Sequence, residues 1–207
     1  MKDTTSGVSE RADRLRIALI TEVFHDDPDG RRLDARLSEA KAGGAELAVL
    51  PELPLDPWAP ASPEPSDADA ELPAGPRQRR QAAAARTAEI AVLGGAIVRD
   101  PVSGRRHNTV ILYDATGREA AVSRKLHLPE EEGFWETHHY EPGTETPSVI
   151  RALSMPIGIQ ICSDVQRPEG SHLLAALGAE AIFAPRATPR ESYARWRMVL
   201  RANAVTS

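Results

Sequence analysis

Residues 46–53 read Glu46-Leu47-Ala48-Val49-Leu50-Pro51-Glu52-Leu53, a short apolar strand stopped by a proline and followed at once by a carboxylate. Upstream, residues 15–24 are rich in Ile, Leu and Val and predict a buried strand. Between the two, Leu33, Leu37 and Ala40 recur at helical spacing, with Asp29 placed to cap a helix and Gly43-Gly44 to close it. Strand, helix and strand in that order predict a right-handed crossover between parallel neighbours in a covered sheet.

Downstream, six prolines in residues 51–65 exclude regular structure and stiffen a loop. Residues 78–90 are Ala-rich and helical by propensity, and residues 91–98 form a strand whose Gly94-Gly95 allows a bulge or close backbone approach. Turn signals at Asp100-Pro101, Ser103-Gly104 and Thr116-Gly117 divide residues 107–113 from 120–125 as antiparallel hairpins. Residues 125–147 are polar, aromatic and irregular, and loops that long in compact domains are often functional. Strands at 148–153, 157–161 and 181–184, with helices at 169–177 and 189–204, complete the pattern. The order predicts an α/β domain over residues 14–207, a mixed sheet or sheet pair covered by helices, after a polar, disordered lead-in at 1–13.

Composition narrows the function classes. The 207-residue chain is 41% hydrophobic and 27% charged, as in an ordinary soluble domain. Its net charge of −5, with signs mixed along the chain, argues against nucleic-acid and anionic-membrane partners. No apolar run is long enough to span a bilayer, and the start lacks the apolar core of a signal peptide, so the expected location is cytoplasmic. The single cysteine excludes an intramolecular disulfide and a multi-cysteine metal site. His138-His139 are adjacent, a poor ligand spacing on a strand, and no metal is expected.

Three reactive side chains stand where apolar strands run out into loops: Glu52, Lys125 and Cys162. Each alone has a plain reading, as a solvated glutamate, a surface lysine or a buried structural thiol. Together, at strand ends where α/β folds gather their sites, they form a set with one chemistry. A thiol is a weak nucleophile until a base or a positive charge populates its thiolate. A shielded carboxylate takes that proton and later returns it to a leaving amine. A buried lysine stabilises the oxyanion of a tetrahedral intermediate, and loss of one such donor costs about 2.7–4 kcal/mol. The backbone N–H of Ser163, next after the cysteine, is the candidate second donor.

Leu50-Pro51-Glu52-Leu53, Arg124-Lys125-Leu126-His127-Leu128-Pro129 and Gly158-Ile159-Gln160-Ile161-Cys162-Ser163-Asp164, in this order and spacing, resemble the nitrilase superfamily of carbon–nitrogen hydrolases. The resemblance runs from the first strand to the last helix. It implies a four-layer α-β-β-α sandwich, no metal or organic cofactor, and a homodimer or larger homo-oligomer. It also implies a second glutamate after the lysine. Gly133-Phe134-Trp135-Glu136-Thr137-His138-His139-Tyr140 with Glu141-Pro142-Gly143 is similar to that stretch in carbamoyl-amine and carbamoyl-amino-acid hydrolases. That selects Glu136 over Glu130, Glu131 and Glu132, which read as a solvated acidic run.

Nitrile-hydrolysing members carry Trp-Glu after the cysteine, whereas Ser163-Asp164 is similar to the amidase and carbamoylase side. The expected substrate is therefore a linear amide or an N-carbamoyl amine or amino acid, and Asp164 is expected to accept backbone hydrogen bonds at the nucleophile turn. Arg167 stands where many carbamoylase-like members place an aromatic residue; it is either a contact for a substrate carboxylate or a surface arginine. Trp58 and Trp135 flank the site as pocket walls or loop anchors, and Trp196 reads as core. The sequence stops at Ser207, where relatives continue into further strands, so the sandwich is expected to lack its C-terminal strands. That leaves as alternatives a non-catalytic homologue serving as a binding or assembly subunit, a glutaminase domain, or nitrile hydrolysis.

Overall fold

The computed structural model describes residues 14–207, and the expected lead-in at 1–13 lies outside the described residues. β1 (Ile17–Leu19), α1 (Arg31–Ala42) and β2 (Leu47–Val49) form the expected crossover, with Ile17 opposite Leu47 in parallel register. α2 (Pro76–Ala88) leads into β3 (Ala91–Arg99), which lies parallel on the other side of β2. β4 (Arg106–Tyr113) and β5 (Glu119–Arg124) then fold back antiparallel, giving the order β1-β2-β3-β4-β5.

Period-two alternation gives this sheet two apolar faces. Ala48, Val92, Ile111 and Tyr113 meet Leu33 and Leu37 of α1 and Ala84 and Ala85 of α2. Leu47, Val49, Leu93, Val110 and Leu112 face the other way, onto a parallel pair, β8 (Ile157–Ile159) and β9 (Ala181–Phe183). α4 (Pro168–Ala176) and α5 (Tyr193–Thr206) cover the far side of that pair. A Cβ on Gly158 would stand 2.8 Å from Leu174 Cδ1, so the glycine permits close approach of α4. Asn203 Nδ2 of α5 donates to Val165 O at 2.7 Å. The result is the expected four-layer α-β-β-α sandwich, and each fully buried Leu or Ile contributes about 1.5–3 kcal/mol to it.

The inner pair is narrower than the sheet it covers. Ile17 and Leu19, in register with Leu47 and Val49, are therefore 38% and 70% exposed.

Several elements differ from the sequence pattern. The strand expected at 15–24 is only Ile17–Leu19, because the chain turns at 25–26 and 28–29. Gly30, in the left-handed region at φ 67°, caps α1 in place of Asp29, while Asp27 accepts from Arg32 N at 2.6 Å. Residues 148–153 make no strand; the chain folds back so closely that one bridge, Ile150 to Ile157, is all that forms. The loop 125–147 contains a small hairpin, β6 (Glu130–Glu131) with β7 (Phe134–Trp135), and the one-turn helix α3 (Glu136–His139).

Gly94-Gly95 does mark a close approach. Beyond β2 the chain reaches Pro51, which has no N–H, and the β3 edge between Leu93 and Ile97, where Glu71 pairs again, is left without a strand partner. The buried amide of Gln81 takes its place, donating to Gly95 O and accepting from Gly95 N, both at 2.9 Å. A Cβ at Gly94 would lie 1.9 Å from Gln81 Oε1. Among the described residues no helix is long and apolar enough to cross a membrane.

Candidate active site

The C-terminal ends of β2 and β5 and the N-terminal end of β4 share one edge of the sheet, since β4 alone runs the other way between them. Glu52, Lys125 and Asn108 project from those ends. All three are buried, at 3%, 1% and 1% exposure, which makes every unpaired polar atom there expensive. Lys125 Nζ donates to Glu52 Oε1 at 2.9 Å and to Glu136 Oε1 and Oε2 at 2.6 and 2.7 Å. The one-turn helix α3 delivers Glu136, whose carbonyl accepts from Tyr140 N at 2.9 Å. The structure thus brings Glu52, Lys125, Glu136 and Cys162 into one buried cluster.

Glu52 is held on every side. Oε1 accepts from Asn108 Nδ2 at 2.9 Å as well as from Lys125, and Oε2 accepts from Ala187 N at 3.1 Å, just beyond β9. The Asn108 carbonyl in turn accepts from Lys125 N at 2.9 Å. Asn108 and the Ala187 N–H were not picked out from sequence. A signal existed for Asn108: an amide, a type depleted in strands, at the polar start His107-Asn108-Thr109 of a strand that continues Val110-Ile111. For a backbone N–H there was none.

Cys162 follows β8 on a tight turn at φ 47°, a left-handed conformation that costs a non-glycine residue about 1–2 kcal/mol. Its surroundings over-determine that conformation. Cys162 N donates to Pro185 O at 3.0 Å, and Asp164 Oδ2 accepts from Ile161 N at 2.9 Å. Asp164 Oδ1 accepts from Leu126 N at 3.1 Å, His127 N at 2.8 Å and His127 Nδ1 at 3.0 Å. One carboxylate therefore staples the segment after Lys125 to the turn that carries the thiol. Ser163 Oγ adds a bond to His127 O at 2.5 Å, leaving its backbone N–H in the first turn of a 3-10 helix.

The electrostatics follow from burial. The Cys162 thiol is pushed well above its ordinary value by burial and then by the Glu52 charge, with Lys125 opposing. The resting thiol is neutral. Burial also works against the Lys125 ammonium, but the carboxylates of Glu52 and Glu136 outweigh it and hold the proton on. Glu136 is pushed up to about 7 by burial, against the pull of Lys125.

A cavity of about 130 Å³ opens onto the thiol, lined among others by Phe134, Glu136, Cys162, Ser163 and Trp196. Trp196, expected as core, packs in the inter-sheet cluster and also forms this wall, with Arg186 stacked 5.5 Å from its ring. Neither Trp58 nor Trp135 lines the cavity. Trp58 Nε1 donates to Gly133 O at 2.8 Å and its ring meets Phe134 edge-on, so it anchors the loop behind the wall. Trp135 packs edge-on against His138. Arg167 is exposed, outside the lining, at the N-cap of α4.

Fold and site together define a class. The chain belongs to the carbon–nitrogen hydrolase family, whose model matches residues 31–207. It is 35% identical over 149 residues to a hydrolase encoded in the pqqF 5' region of Pseudomonas protegens, covering 71% of this chain and 50% of that protein. It is 30% identical over 112 residues to the N-carbamoylputrescine amidase of Solanum lycopersicum, covering 51% of this chain and 37% of the relative. The amidase from Nesterenkonia sp. AN1, solved as a mutant with the acetamide moiety of fluoroacetamide added covalently at its active-site cysteine, superposes with a TM-score of 0.76. Identity there is 26%, over 97% of this chain and 75% of that one. The chain spans about a third to a half of the length of these two curated relatives.

Proposed function

We propose that this protein hydrolyses a linear amide or N-carbamoyl compound through an acyl-enzyme on Cys162. The observation that carries the reading is the buried Lys125 ammonium gripped by two carboxylates beside a neutral thiol that opens into a cavity. Glu52 takes the thiol proton as Sγ attacks the carbonyl carbon, so no free thiolate has to persist in a buried site. The Lys125 ammonium and the Ser163 N–H stabilise the tetrahedral oxyanion. Collapse breaks the C–N bond, and Glu52 returns the proton to the departing amine or ammonia. Water, deprotonated by Glu52, then cleaves the thioester and restores the thiol. Glu136 holds Lys125 at its post.

Intact-protein mass spectrometry after addition of amides and N-carbamoyl compounds tests this. A mass increase of one acyl group, confined to Cys162 and absent from Cys162→Ala, is expected. Turnover that survives Cys162→Ala would end the proposal. The homo-oligomer implied by the resemblance is supported by Tyr193 and Met198 of α5, 55% and 66% exposed, and light scattering on the purified chain checks it.

A further inference from the structure

The cavity over Cys162 has a buried floor and a charged mouth. Glu136 and Cys162 form the floor, while Glu131 on β6 and Arg195 on α5 are exposed lining residues on two separate elements. Their charged neighbours already have partners. Glu130 accepts from Thr137 Oγ1 at 2.9 Å, and Arg186 donates to Thr188 Oγ1 at 2.7 Å and stacks on Trp196. Among the described residues no hydrogen bond or ion pair engages the carboxylate of Glu131 or the guanidinium of Arg195, and the two do not pair with each other. The other polar side chains that line the cavity above its floor, Ser163, Gln166, Thr188 and Ser192, are uncharged.

A guanidinium at a pocket mouth grips a carboxylate through two parallel N–H···O bonds, and a carboxylate receives an ammonium. Resting on the hydrolase reading above, we infer that Arg195 and Glu131 select a short amide or carbamoyl compound whose far end carries both a carboxylate and an ammonium. The reacting carbonyl enters the cavity to Cys162, and the zwitterionic end stays at the mouth. Opposite charges held apart discriminate by sign as well as by attraction, because a ligand with one charge leaves the other residue unmatched. The sequence offered Arg167 for the carboxylate; the fold turns that residue outside the cavity and puts Arg195, one helix later, on its rim.

The test uses the purified full chain and four primary amides of matched length: pentanamide, glutaramate, 5-aminopentanamide and glutamine. Ammonia release gives kcat/KM for each. The zwitterion should lead and the neutral amide trail, with about tenfold between neutral and singly charged, the scale of one charge-assisted hydrogen bond. Arg195→Ala should lower the glutaramate-to-pentanamide ratio about tenfold, and Glu131→Gln the 5-aminopentanamide-to-pentanamide ratio by a similar factor. Both residues are exposed, so thermal melts of the variants should overlay the parent. Ratios that do not move in either variant overturn the charge pair and leave the hydrolase reading standing. If no amide is turned over and no adduct forms on Cys162, the hydrolase reading falls. Calorimetric titration of Cys162→Ala with glutamine and pentanamide then reads the charge pair alone, and equal affinities overturn it.

Discussion

Glu52 and Asp56 are buried carboxylates in one proline-rich segment, 3% and 6% exposed, yet their surroundings differ in kind. Glu52 has directed donors on both oxygens and stands beside a thiol and a cavity. Asp56 faces Arg77 Nε at 2.8 Å, but off the hydrogen-bond direction, so neither of its oxygens has a directed partner. Burial pushes Asp56 up to about 7, with Arg77 pulling the other way. Glu71, next to it, accepts from Arg77 N and Gln78 N, each at 2.9 Å, and so ties the start of α2 to the strand edge. Buried charge alone therefore does not mark a site. A thiol within reach and an opening toward it distinguish the Glu52 cluster from the Asp56 one.

The largest effect that sharpens this contrast is Cys162→Ala, expected to lower kcat by about 10⁴-fold or more while thermal melting stays near the parent's. Asp56→Asn, read in the same assay, should leave kcat within about twofold, the range of a substitution with no transition-state contact. If both variants lose turnover alike, the distinction between the clusters is broken.

Next comes Lys125→Met, which strands two buried carboxylates. It should destabilise the fold by about 3–5 kcal/mol and lower kcat by about 10²–10³-fold. Arg77→Met should also destabilise, by less because Arg77 is part-exposed, but without the loss of kcat. Chemical denaturation paired with steady-state kinetics separates the two.

Asn108→Ala is expected to lower kcat by about 10–100-fold with KM little changed, because it frees Glu52 to rotate without touching the cavity wall. Asn108→Asp, which keeps the shape but places a third carboxylate beside Glu52, should be worse than Ala. The reverse order would mean that the amide fills space and does not orient Glu52.

The last effect is on stability against pH. Glu136 and Asp56 both sit near 7 in the fold, above their ordinary 4.5 and 3.8, so between those values the folded state binds more protons than the unfolded one. Their joint contribution therefore falls as pH rises from about 4 to about 7 and levels off above. Denaturation midpoints across that range should show a smaller fall for Glu136→Gln/Asp56→Asn than for the parent. An equal or steeper fall in the double variant would place the buried protons elsewhere.

Much of the site was legible because strand ends leave a signature in one dimension. An apolar run that stops at Pro51-Glu52, at Lys125 and at Cys162 marks where the chain leaves a sheet, whatever the partner strands are. The helices and the hairpin were legible by periodicity and turn residues. The edge elements were not. Residues 148–153 and most of 15–24 are apolar enough for strands, but a strand needs a neighbour to pair with: β2, beside β1, is three residues long, and 148–153 meets β8 in a single bridge. Glu131 looked like one of a solvated run; its place on the rim depends on a two-residue hairpin, which propensity does not resolve.

By itself the sequence determined the α/β class and the crossover and marked Glu52, Lys125 and Cys162 at strand ends, because local pattern and residue chemistry are properties of the chain alone; Glu136 came from the resemblance. Only the tertiary structure decided how these side chains are arranged. It aligned the ends of β2, β4 and β5 so that Asn108 and Ala187 fix Glu52, and it wound Cys162 into a left-handed turn stapled by Asp164. It also placed Arg195 at the cavity mouth and left Arg167 outside. These are contacts between residues far apart in sequence. Their distances are set by the packing of four layers, which no stretch of the chain encodes separately.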